Sequence, residues 1–205
     1  MRYEIINWKA VFIFLLIVTF ALFFFFPFYF MVSSSFKHPL DSSVYPPIIF
    51  NFEPTLKNYI TIFKKYPMTT YFFNSFIVAT FATLVSMALA IPAAYGMERL
   101  ISQNRERIAY MFLTMQLIPP ISMVFALFWY ANFFGILGTY WLLVIGYTLW
   151  NVPYGIWLTR GFFTTIPKEL EEAAFVDGAT RLWVLRKIVV PLTKPGIIAA
   201  TIFIF

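Results

Sequence analysis

Long uncharged runs alternate with short polar links along the chain. Residues 10–32 carry no charged side chain over 23 positions. A helix of that length, at ~1.5 Å per residue, reaches roughly 34 Å and spans ~30 Å of hydrocarbon. Signal-peptide apolar regions are shorter, about 7–15 residues, so this run reads as a membrane helix. Comparable runs cover 71–97, 108–130 and 140–159, and a fifth begins at 196. The pattern predicts an all-α, polytopic transmembrane bundle with four full spans and the start of a fifth. Pro27, Pro92, Pro119-Pro120 and Pro153 fall inside these runs. Each removes a backbone donor, so kinks or breaks are expected there.

The polar links differ in character. Residues 33–70 are broken by Pro39, Pro46, Pro47, Pro54 and Pro67. Within them Leu56, Tyr59, Ile60 and Phe63 recur at helical spacing behind Thr55, which predicts an N-capped amphipathic helix lying on the membrane or on the protein itself. The single histidine, His38, sits in this loop with no second ligand in view, and reads as a loop residue. Glu98 to Arg107 is a short charged link, and Ala131 to Thr139 a brief loop with two glycines.

The most regular polar stretch is 164–195. Pro167 suits the first turn of a helix, and Glu169, Glu171 and Glu172 follow where acids complement the helix dipole. Leu170, Ala173, Ala174 and Asp177 share one shallow face at spacings i, i+3, i+4 and i+7. Gly178 supplies a residue able to turn left-handed and end that helix. A second helix is expected from about Thr180, carrying Leu182, Leu185, Ile188 and Val189 and stopping at Pro191. The two short helices predict a compact knob at the membrane surface.

Composition places the chain in a membrane. Hydrophobic residues make up 61% and charged residues 12% of the 205, against roughly 45–50% and about 25% in soluble domains. There is no cysteine, which excludes disulfides, thiolate nucleophiles and cysteine-based metal sites. The net charge of +6 does not point to nucleic acid, because the basic residues flank the apolar runs. Arg2, Lys9, Arg99, Arg105, Arg107, Arg160, Lys168, Arg181, Arg186, Lys187 and Lys194 fall on one side of the predicted topology, and Lys37, Lys57, Lys64 and Lys65 on the other. The first side is therefore expected to be cytoplasmic, with the N-terminus and the knob on it.

Catalytic chemistry finds no support: no Ser/His/Asp set, no metal-ligand spacing and no phosphate-cradling G-x-x-x-x-G-K loop is present. No cofactor or metal is expected in this chain. The four full spans hold no Asp, Glu, Lys, Arg or His, which lowers the odds of an ion-coupled carrier. Gln116, Asn132, Asn151 and Tyr154 are the neutral polar groups that could line a path for an uncharged solute, beside Trp150 and Trp157. Interhelical hydrogen bonding explains such residues as well.

Glu172-Ala173-Ala174, then Gly178, Ile188, Val190 and Pro191, resembles the EAA loop of binding-protein-dependent ABC importer permeases; Val190 stands where leucine is usual. The flanks Ile166-Pro167-Lys168-Glu169-Leu170, Asp177-Gly178-Ala179, Pro191-Leu192 and Pro195 resemble the carbohydrate-uptake branch, in particular its maltose-permease-like subunits. Asn74-Ser75 at the start of the second run also matches, although end-capping explains both residues equally well.

The resemblance implies an importer type I permease fold in a prokaryotic inner membrane. It implies that Glu172, Ala173, Ala174, Asp177, Gly178, Ala179 and Pro191 form a coupling loop docked on a cytoplasmic ATPase dimer, which binds the ATP. Further expected partners are a second, different permease subunit, an extracytoplasmic solute-binding protein and membrane lipid. The function implied is ATP-driven uptake of sugars or oligosaccharides by alternating access. The family continues beyond the fifth run, so a C-terminally truncated permease is expected. The rival readings are an ion-coupled carrier or channel working without an ATPase, and a membrane scaffold that transports nothing.

Overall fold

A computed structural model describes residues 8–101 and 103–205, and every element in it is helical. Arg2, counted above among the inner-face charges, lies outside the described residues. The chain divides into two compact units, 1–72 and 73–205.

In the first unit, α1 (Trp8–Ser35) runs on through Pro27, and Ser33 is its one buried side chain. An apolar helix of 28 residues with its side chains exposed is suited to lipid rather than water. The following loop is folded back on the end of α1. Asn58 Nδ2 donates to the carbonyls of Ser35 at 3.0 Å and Lys37 at 2.7 Å. The Thr55 amide donates to the Phe36 carbonyl at 2.7 Å. The side chain of Lys37, 2% exposed, lies over the rings of Phe30 and Phe52 at 4.9 and 5.1 Å. Aromatic faces hold this cation within the loop. The amphipathic helix forms as α2 (Lys57–Lys65). Thr55 Oγ1 accepts from the Lys57 amide at 3.2 Å. Leu56, Tyr59, Ile60 and Phe63 all remain exposed along it.

The second unit is built on α3 (Met68–Leu100) and α6 (Tyr140–Phe163). Small residues let their backbones approach, as is usual for helix contacts in membranes. Ala82, Ala90 and Ala94 of α3 are buried. A Cβ placed on Gly155 of α6 would lie 3.0 Å from Ala90 Cβ and 3.1 Å from Ile204 Cδ1. Gly155→Leu is therefore expected to lower stability by about 1–3 kcal/mol through overpacking. Thermal unfolding of the detergent-solubilised protein measures this, and an unchanged midpoint would show that the contact has slack.

The run expected as a third span is two helices, α4 (Arg105–Met115) and α5 (Pro120–Phe133), bent by 81°. The cause is local. Pro119 precedes another proline, which drives it to the extended backbone seen at φ −59° and ψ 131°, and Pro120 then opens a new helix. Two consecutive missing donors leave no ladder to bridge the break.

The largest core lies where α3 and α6 end. Ala94, Tyr95, Met97, Ile156, Phe163 and Ile166 surround Val184, Leu185 and Val189 from the polar stretch. That stretch forms α7 (Lys168–Val176) and α8 (Arg181–Leu192), followed after an 83° bend by α9 (Lys194–Ile204). α9 starts so close to the end of α6 that a Cβ on Gly196 would clash with the ring of Phe162.

Candidate functional site

α7 begins at Lys168 because Pro167, at ψ 132°, is extended and cannot continue it backward. It ends through Gly178, at φ +84°. The Ala179 amide reaches back to the Ala174 carbonyl at 2.9 Å, and the Gly178 amide to Phe175 at 3.0 Å. This left-handed terminator is inexpensive for glycine. Two residues later Thr180 caps α8, its hydroxyl accepting from the Trp183 amide at 3.3 Å. The turn is therefore fixed from both sides. It encloses a notch of about 430 Å³ lined by Ala174, Asp177, Gly178, Ala179, Thr180 and Trp183.

Pro191, expected to end the second helix, lies inside its last turn instead. The helix runs one residue further, to Leu192, and the effect of the proline is felt upstream. Residues Leu185–Val189 form a π turn in which the Val190 amide reaches the Leu185 carbonyl. A wider turn relieves the clash of the proline ring with the carbonyl four residues before it. Val184, Leu185 and Val189 are buried, whereas Leu182, expected on the same face, is exposed.

Glu172, Ala173, Asp177 and Gly178 are exposed, as is Pro191, while Ala174 and Ala179 rest half-buried against the core. The knob is attached by charge. Glu171 is 3% exposed and both its oxygens are engaged by α3: Arg99 Nε donates to Oε1 at 2.7 Å, and the Tyr95 hydroxyl to Oε2 at 2.9 Å. Arg99 Nη2 also donates to the carbonyls of Phe163 and Ile166, at 3.2 and 3.1 Å, where α6 ends. A cation there complements the helix dipole. Alongside, buried Glu98 accepts from Arg105 and Arg160, both at 2.9 Å, and Arg160 also bonds Glu106. The hydrogen bond from Arg160 lowers the pKa of the Glu106 carboxyl from its ordinary value.

In the sequence Arg99 reads only as an inner-face charge and Glu98 only as part of a polar link, and Tyr95 carries no signal of its own. The available signal was the pair Glu98-Arg99 set directly at the end of an apolar run, where two adjacent opposite charges look like simple solvation of a helix end.

The polar residues proposed for a solute path are not gathered together. Asn151 lines a depression of about 550 Å³ with Trp150, Asn74, Ser75 and Thr83. Asn74 and Ser75 sit two turns inside α3, so they do not cap it. Gln116 Nε2 instead donates to the Trp150 carbonyl at 2.9 Å, Tyr154 stacks on Trp157 with ring centroids 6.4 Å apart, and Asn132 is exposed near the end of α5. Among the described residues, no three His, Cys, Asp or Glu side chains gather where a metal could be held.

Known proteins resemble this chain in sequence and in fold. The chain is 33% identical to the sulfoquinovosyl glycerol transport system permease protein of Agrobacterium fabrum, over 88% of this chain and 63% of that protein. It is 31% identical to the trehalose/maltose transport system permease protein of Thermococcus litoralis, over 88% of this chain and 65% of that one. It thus spans a little under two thirds of the length of these relatives. Its fold matches that of a solved bacterial ABC transporter involved in the import of the acidic polysaccharide alginate, with a TM-score of 0.75 at 20% identity, over all of this chain and 71% of that one. The sequence pattern of the binding-protein-dependent transport system inner membrane component matches residues 86–205, a stretch that begins within α3 and takes in the whole knob. More than half of the chain carries that pattern, and the chain belongs to this family of inner membrane transport components.

Proposed function

We propose that this chain is the membrane-spanning part of an ATP-driven, binding-protein-dependent importer for sugars or oligosaccharides, a transport subunit with no ATPase site of its own. The supporting observation is the knob: a helix–glycine–helix turn with Glu172, Ala173, Asp177 and Gly178 exposed, tied by buried charges to the ends of α3 and α6. Such a surface is shaped for a protein partner, and a dimer of cytoplasmic ATPases is the partner assigned to it. A second permease subunit and an extracytoplasmic solute-binding protein complete the assembly. The sugar assignment draws on the names of the relatives and on the neutral polar groups of the spans, with Asn151 facing the depression between α3 and α6.

The mechanism is alternating access. The ATPase dimer must hold the knob differently in its open and closed states, because equal affinity would shift no equilibrium. The difference is delivered to α3 and α6 as movement.

Ala173→Trp, which places a large ring on the exposed face, is expected to abolish co-purification of the ATPase and to reduce uptake more than tenfold, with the amount of inserted protein unchanged. Retention of both activities would defeat the assignment, as would uptake driven by an ion gradient without any ATPase. The orientation has its own check. The chain has no cysteine, so a single Val176→Cys, at a residue 88% exposed, gives one labelling site. A membrane-impermeant maleimide is expected to react in inside-out vesicles and not in intact cells.

A further inference from the structure

The docked face of α7 needs a mechanical connection to the spans, and the covalent one is short and irregular: residues 164–167 form turns between α6 and α7. Arg99 bridges that gap. Its side chain is only 8% exposed, and it joins three elements through Glu171 of α7, the carbonyl of Phe163 at the end of α6 and its own place on α3, while also holding the Ile166 carbonyl in the turn itself. Tyr95, one turn earlier on α3, occupies the second oxygen of Glu171. Glu171 is thereby held by two donors from a single helix, which fixes direction as well as distance. A buried ion pair is a poor way to gain stability, since an apolar pair of similar volume commonly does as well or better. What the pair supplies, and packing alone does not, is a single defined orientation of α7 against α3.

We infer that Arg99, acting through Glu171, is a positioning residue of the transport cycle. It makes α7 move as one body with the ends of α3 and α6, so that displacement of the knob is not absorbed by the 164–167 turns. This rests on the reading that the knob docks on an ATPase. The neighbouring contacts of Glu98 with Arg105 and Arg160 brace α3 against α4 and α6 at the same level, so the movement is passed to helices that are already joined.

The test uses the full-length permease in its assembled complex, reconstituted in vesicles, and reads solute moved per ATP hydrolysed. The double variant Arg99→Met with Glu171→Leu removes both charges at similar volume. It is expected to recruit the ATPase and hydrolyse ATP at the wild-type basal rate, with solute moved per ATP reduced at least tenfold. A purely structural role would lower complex yield, hydrolysis and uptake together and leave that ratio unchanged, which would overturn the inference.

Arg99→Lys keeps the charge but loses the planar fork that spans Glu171 and the two carbonyls. It carries the same test should the double variant yield no complex: a reduced ratio supports the inference and an unchanged one overturns it. Ala173→Trp separates the two levels of the argument. If that variant still recruits the ATPase, the docking reading fails. If it loses the ATPase while the Arg99 variants keep the wild-type ratio, the docking reading stands and the positioning role falls.

Discussion

Gly178→Val is expected to abolish uptake while leaving the amount of membrane-inserted protein unchanged. Gly178 has φ +84°, and apart from its own chain neighbours no atom lies within 4 Å of the place a Cβ would occupy. The obstacle is therefore conformational and not steric crowding by neighbours. A β-branched residue held in the left-handed region costs about 1–3 kcal/mol. The chain can avoid that cost only by undoing the turn, which breaks the 2.9 Å bond from Ala179 to Ala174 and shifts α8 relative to α7. Insertion is spared because the apolar helices on either side are untouched. Gly178→Asn provides the control, since asparagine visits this region at low cost, and it should retain most of the uptake. Wild-type uptake by the valine variant, measured beside an insertion assay, would remove Gly178 from the coupling argument.

The second large effect falls on stability. Glu98→Leu removes the carboxylate that accepts from Arg105 and Arg160, and leaves Arg160, 12% exposed, with only the exposed Glu106. Removing one member of a buried pair costs about 3–5 kcal/mol, because the charge left behind keeps its desolvation penalty. The value should lie toward the lower end here, since Arg105 is 38% exposed and can turn to water. Glu98→Gln keeps one acceptor oxygen at nearly the same volume, although its NH2 then faces the other arginine donor, and should cost less than leucine. Thermal unfolding in detergent decides the matter. A leucine variant as stable as the wild type would mean that the network contributes no net stability at this helix end.

Gly178 and Glu98 differ in how plainly the sequence marks them. Gly178 stood out at once, because a glycine between two amphipathic segments has one dominant use, to turn the chain where other residues resist. Glu98 did not. Its burial depends on Arg160, 62 positions away, and no local pattern announces such a partner. The same contrast separates Glu171 from Glu172. Neighbouring positions on a helix point about 100° apart, so one glutamate is sealed against Tyr95 and Arg99 while the next is free to meet a partner.

The sequence by itself determined that the protein is a set of apolar helices in a membrane, where the polar knob lies along them and which glycine bends it. These features follow from length, periodicity and the backbone preferences of glycine and proline, all of which act within a few residues. Tertiary structure decided the rest: the burial of Glu98 between Arg105 and Arg160, and the choice of Arg99 and Tyr95 as the holders of Glu171. A buried charge has its partner selected by which helices come together, and that selection is made only when the chain has packed.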